Sequence, residues 1–179
     1  MNSAADRKRR SRNVLCLSVL GLLGLVHVLP DHLRLVVTPS IPRGAYLALA
    51  PRKPARPGDL VAFCLPEDLA QRLLTHHYLL PGRCPGGSSP IVKRVAATSP
   101  TVACATPAGL QLGRRLVPWP PPAPPALRLP RYRDCGPIPP GCLFVLGDLS
   151  TAVDSRVFGC VPESRLLNRL VPIPGLTES

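Results

Sequence analysis

The chain has 179 residues and carries 25 prolines and 14 glycines, more than a fifth of the total, which excludes a helical bundle or coiled coil. Its hydrophobic content of 45% is enough to bury a core and excludes a wholly disordered chain. The net charge of +12, from 22 Lys+Arg against 10 Asp+Glu, suits nucleic acid, acidic lipid or an anionic protein, and cannot choose among them.

The chain opens on a basic run of Arg7, Lys8, Arg9, Arg10 and Arg12, opposed only by Asp6. An apolar stretch from Val14 to Leu29 follows, broken only by Ser18 and His27. As a helix it would rise about 24 Å, short of the roughly 30 Å hydrocarbon core, which fits a signal-peptide core or a short anchor. No Ala-x-Ala-like site follows; Pro30, Asp31 and His32 come next, so an uncleaved anchor is favoured over a removed leader. The expected layout is a basic cytoplasmic tail over 1–12, an anchor or signal segment over 13–30 and an exported domain over 31–179. The competing reading, a buried helix behind an arginine tail that binds nucleic acid, has no interleaved aromatics to support it, and no nucleic acid is expected as a partner.

Seven cysteines in so short a chain point to an oxidising compartment or a metal site. Cys16 lies in the apolar stretch, and the other six allow 15 connectivities. No Cys-x-x-Cys occurs and the histidines do not fall at zinc-ligand spacing, so neither metal nor cofactor is expected. The pairings expected are Cys64–Cys84, Cys135–Cys142 and Cys104–Cys160. Short strands bounded by Pro, Gly or Ser are predicted at Ala45–Ala50, Leu60–Cys64, Ile91–Ala96, Thr101–Ala105 and Leu143–Gly147. Pro66-Glu67-Asp68 opening onto Leu69, Leu73 and Leu74 predicts the one exported helix, with His76 and His77 at its exposed end. Pro118–Pro130, with seven prolines, reads as a stiff extended connector rather than a packed element. The fold class expected is mainly β.

Three segments carry side chains suited to chemistry. In Thr38-Pro39-Ser40-Ile41-Pro42-Arg43-Gly44, two prolines stiffen the backbone around the Ser40 hydroxyl, and Thr38 would share its side of an extended chain. In Ile91-Val92-Lys93-Arg94-Val95, alternation sets Lys93 on the face opposite Val92 and Arg94. Lysine is scarce here, three against nineteen arginines, and a buried lysine can lose its proton where arginine cannot. The third, Gly147-Asp148-Leu149-Ser150-Thr151-Ala152-Val153-Asp154-Ser155-Arg156-Val157-Phe158-Gly159, gathers acids, hydroxyls and an arginine after a strand. Read singly, each is an ordinary turn, a strand-edge lysine or an Asp–Arg loop.

In combination and in this order they resemble the type I signal peptidases, and "TPSIPRGAYL", "VAFC", "CPGG" and "VKRVAA" resemble the TraF-type conjugative-transfer members. The resemblance spans roughly residues 12–175. It implies a β-rich serine endopeptidase with a Ser-Lys dyad, with Ser40 as nucleophile and Lys93 as general base. It places Thr38 and the Ser40 N–H at the oxyanion, and Asp154, Ser155 and Arg156 as support. It also implies a location in the cytoplasmic membrane with the catalytic domain on the periplasmic side. The partners implied are precursors with leader peptides, pro-pilin among them, and the membrane through the N-terminal segment. Ala152 departs from the pattern, standing where the family usually has a serine that orients the lysine. A rival reading follows from it, a degenerate member that binds leader peptides or assembly proteins without cutting them.

Overall fold

The computed structural model describes residues 32–178. The basic tail, the apolar stretch and Cys16 lie outside the described residues. Among the described residues, no helix is long and apolar enough to cross a membrane.

The expectation of a mainly β fold is met by two antiparallel sheets. Eleven strands run in chain order: β1 Leu33–Val36, β2 Gly44–Leu49, β3 Leu60–Phe63, β4 Ile91–Thr98, β5 Val102–Thr106, β6 Gly109–Leu112, β7 Arg115–Pro118, β8 Cys135–Pro137, β9 Cys142–Leu146, β10 Val161–Pro162 and β11 Leu166–Thr177. The larger sheet is ordered β1-β2-β11-β3-β4-β9-β10, and the smaller β7-β6-β5-β8. The one longer described helix, α1 at Glu67–Thr75, starts where its acids complement the positive end of the helix dipole and buries Leu69, Ala70 and Leu73. His76 caps its end, and His77 follows exposed with φ 60°. A short second helix, α2 at Ser155–Phe158, follows β9.

Strand β9 explains the architecture. All five residues, Cys-Leu-Phe-Val-Leu, are buried because the strand is covered on both faces. Leu143 and Val145 face a core with Val61, Phe63, Val95 and the α1 leucines, whereas Phe144 and Leu146 face one with Ala103, Leu110 and Ile138 of the smaller-sheet side. Its neighbour β4 serves the same two cores through a register shift between Val95 and Ala97. The extra residue turns Ala97 to the face opposite Val95, the ordinary effect of a β-bulge. A third core of Val36, Ile41, Tyr46, Ala48, Leu60 and Leu170 closes the β1–β2 end.

Three expectations are corrected here. The Pro118–Pro130 segment is packed: Leu127 is buried in the main core with Ala123 and Leu129 against it, because a short 3-10 turn at Pro125–Leu127 directs that leucine inward. Cys64–Cys84 pairs as expected, with Cα atoms 5.6 Å apart. The other two pairs are Cys104–Cys135 and Cys142–Cys160, not Cys135–Cys142 and Cys104–Cys160. Cys135 and Cys142 are close in sequence but sit in different sheets. Strand pairing sets Cys104 opposite Cys135, and the pairing of Pro162 with Cys142 brings Cys160 near.

Candidate active site

Ser40 sits in a turn over residues 38–41 between β1 and β2. Three ties hold that turn. Ile41 is buried in the third core, the buried Tyr46 hydroxyl donates to the Pro42 carbonyl at 2.6 Å, and the Asp148 N–H donates to the Ser40 carbonyl at 2.7 Å. Ser40 itself is half-buried. Thr38 is exposed, and because the segment turns, the extended-chain argument for Thr38 and Ser40 sharing a side does not apply.

Lys93 lies in β4 opposite Val61 and is 5% exposed, while Val92 and Arg94 on the other face are half-buried. Burial pushes the Lys93 amine down to about 8, with the nearby Arg156 guanidinium acting in the same direction and Asp154 and Asp148 opposing it. The amine makes no ion pair among the described residues, since Asp154 is taken by Arg156 and Asp148 by Arg94. No hydrogen bond joins it to the Ser40 hydroxyl in this arrangement, although the Ser-Lys dyad that the resemblance implies calls for one.

Gly147 is the point at which these groups meet. A methyl group placed there would lie 3.2 Å from the Ser40 carbonyl oxygen and 3.3 Å from Lys93 Nζ. Ala152 packs on the same glycine, against the side a Cβ would occupy. The Gly147 backbone is held in turn by Asp154, whose carboxylate accepts its N–H at 3.1 Å.

Asp154 and Arg156 form a buried pair at 2.7 Å, 0% and 3% exposed. Asp154 also accepts the Arg156 N–H at 3.0 Å as the cap of α2. The guanidinium donates onward to the carbonyls of Pro118 and Leu149 at 3.1 and 3.3 Å. Each guanidinium nitrogen of this buried pair thus has a partner, the condition for keeping an ion pair out of water. Ser155 is fully buried and accepts the Val145 N–H at 2.8 Å, so it braces β9 rather than the lysine. The structure therefore gathers the Ser40 backbone, the Lys93 amine and the Asp154 carboxylate around Gly147, with Arg156 paired to Asp154 behind them and Ser155 turned to the β9 backbone.

Three contributors were not legible as such: Gly147, Asp148 and Arg94. Arg94 makes a two-pronged contact to Asp148 at 3.3 and 3.1 Å, tying β4 to the loop whose N–H holds Ser40. The Gly-Asp step stood in the third motif, but its partners come from β4 and from the Ser40 turn, far apart in sequence.

A family model for signal peptidase, peptidase S26, matches residues 14–173. The chain belongs to this family. Among curated relatives, a conjugal transfer protein TraF of Agrobacterium fabrum (strain C58 / ATCC 33970) is 30% identical over 172 residues, covering 87% of this chain and 86% of the relative. A conjugal transfer protein TraF of Agrobacterium tumefaciens (strain 15955) is 32% identical over 156 residues, covering 78% of this chain and 81% of the relative. A probable conjugal transfer protein TraF of Sinorhizobium fredii (strain NBRC 101917 / NGR234) is 32% identical over 140 residues, at 75% and 72% coverage. A peptidase of the signal-peptidase kind is the activity the family supports, and the three disulfides suit an exported domain.

Proposed function

We propose that this member of the family is a membrane-anchored serine endopeptidase in which Lys93 activates Ser40, and that it removes leader peptides from exported precursors in conjugative transfer, pilin-like proteins among them. The observation that carries the reading is the Lys93 amine: buried, lowered to about 8, free of any ion pair among the described residues, and packed on the same glycine as the Ser40 backbone. A neutral amine accepts the Ser40 proton as the hydroxyl oxygen attacks the scissile carbonyl. The ammonium then returns that proton to the departing amine, leaving an acyl-enzyme that water resolves in a second, mirrored step. The Ser40 N–H and Thr38 are the proposed oxyanion donors. Asp154 acts through the backbone: by holding Gly147 it sets the floor on which the serine and lysine meet. In this proposal residues 13–30 anchor the exported part at the membrane surface, where inserted leader peptides are presented.

The test is co-expression of the full chain with a candidate precursor. Wild type is expected to shorten the precursor, and Ser40→Ala and Lys93→Arg to leave it intact. Processing by either variant would overturn the dyad. Ala152 favours the second reading, a leader-binding member that does not cut, since it offers no hydroxyl to orient the amine. Retention of an uncut precursor by wild type would select that reading.

A further inference from the structure

The Pro-rich segment and the 151–157 loop enclose a cavity of about 720 Å³, within the range of sites that take peptides and small ligands. Its walls are apolar, from Trp119, Leu127, Val153 and the prolines, and its charged lining residues are Arg128, Arg131 and Arg156, with no carboxylate among them. Arg156 is neutralised by Asp154. Arg131 stacks over Trp119 at 3.9 Å, and the Trp119 indole N–H donates to the Thr106 carbonyl at 2.8 Å, so this wall is fixed in place. Neither Arg128 nor Arg131 has an acidic partner among the described residues. Ala152 lines the cavity and also packs on Gly147, so one residue separates it from the surroundings of Lys93.

We infer that this cavity is an accessory docking site for an extended, acidic–apolar segment of the precursor, seating an aliphatic or aromatic side chain among Trp119, Leu127 and Val153 with its neighbouring carboxylate on Arg128 and Arg131. The inference rests on the reading above that the substrate is a polypeptide. Charge decides the sign of the occupant: two guanidiniums without an acidic partner among the described residues, Arg128 and Arg131, and no carboxylate in the lining select an anion. Backbone chemistry favours a peptide over a lipid headgroup. A proline-built wall presents carbonyl acceptors and almost no N–H donors, which suits a chain that brings N–H groups and gives a phosphate little beyond the arginines.

Trp119 is the chain's one tryptophan, so its emission reports on the cavity. The probe is a blocked peptide alternating leucine with glutamate, free of Trp and Tyr, titrated into full-length Ser40→Ala protein so that it stays uncut. A saturable change in emission is expected, with affinity at least tenfold weaker when glutamine replaces glutamate in the probe. The Arg128→Gln/Arg131→Gln protein, checked for native circular dichroism, is expected to lose affinity by a similar factor. No saturable change, equal affinity for the glutamine probe, or a response to phosphatidylglycerol vesicles alone would overturn the inference. Precursor processing by wild type without probe binding would remove this inference and leave the peptidase reading standing. Probe binding beside a wild type that processes nothing would do the reverse.

Discussion

Gly147→Ala isolates the convergence at the site with a single methyl group. That Cβ would sit 2.4 Å from the Ala152 Cβ, 3.2 Å from the Ser40 carbonyl oxygen and 3.3 Å from Lys93 Nζ. Carbon atoms rest about 3.5–4.0 Å apart, so more than 1 Å must be found against Ala152, whose Cβ has no rotamer to escape into. The loop backbone must move, at the roughly 1–3 kcal/mol typical of overpacking. For a chain of this length that is a fall in Tm of roughly 3–10 °C. Activity is expected to fall further, about 10²-fold or more, because the displaced groups are those that must align and an error near 1 Å costs that much. Thermal melts and precursor cleavage by Gly147→Ala, Ala152→Gly and the double variant make a cycle. Ala152→Gly removes the 2.4 Å clash and leaves the two longer contacts. A favourable coupling of at least about 1 kcal/mol in stability is therefore expected, with only partial recovery of cleavage. Strictly additive costs, or wild-type cleavage by Gly147→Ala, would refute the reasoning.

The remaining predictions concern protons, the buried pair and a disulfide. With Lys93 lowered to about 8, kcat/KM should rise close to tenfold per pH unit up to pH 8 and then level, and a flat profile from pH 6 to 9 would count against Lys93 as base. The same shift makes stability rise with pH. Below about pH 8 both folded and unfolded chains hold the proton and the burial penalty is complete. Between 8 and 10.5 the unfolded chain binds more protons, so about 3 kcal/mol of penalty is progressively relieved. Urea melts between pH 8 and 9.5 should show the rise in wild type and not in Lys93→Met; burial also raises the Tyr46 and Tyr132 hydroxyls, and both proteins share them. Asp154→Ala should cost about 3–5 kcal/mol by stranding the Arg156 guanidinium, measured by denaturant titration, and Asp154→Ala/Arg156→Met should recover much of it. Replacing Cys64 and Cys84 by serine should cost about 3 kcal/mol from the twenty-residue loop, and an unchanged denaturation midpoint under oxidising conditions would show that the bridge does not form.

Local signals determined a good part of this protein. Strands bounded by Pro and Gly, the acid-opened helix before Leu69 and the alternation that buries Lys93 are short-range features, and each survives in the fold because nothing distant opposes it. The order of the three motifs sufficed for the family. What only the tertiary structure decided depends on register and on covering layers. Strands β6, β7, β8 and β11 carry weak or proline-interrupted patterns and exist because a neighbour offers a ladder, as β2 and β3 do for β11. Two of the three disulfides follow strand partners rather than sequence distance. Leu127 is core because a proline-stiffened segment happens to fold back over the sheet. Gly147 shows the limit most sharply. In sequence it is one glycine after a strand, whereas in space it is where the Ser40 carbonyl, the Lys93 amine and Ala152 converge and Asp154 holds the backbone. Local pattern records what one chain segment prefers, and convergence of segments more than fifty residues apart is set only when the β4–β9 pairing and the Ser40 turn close around it.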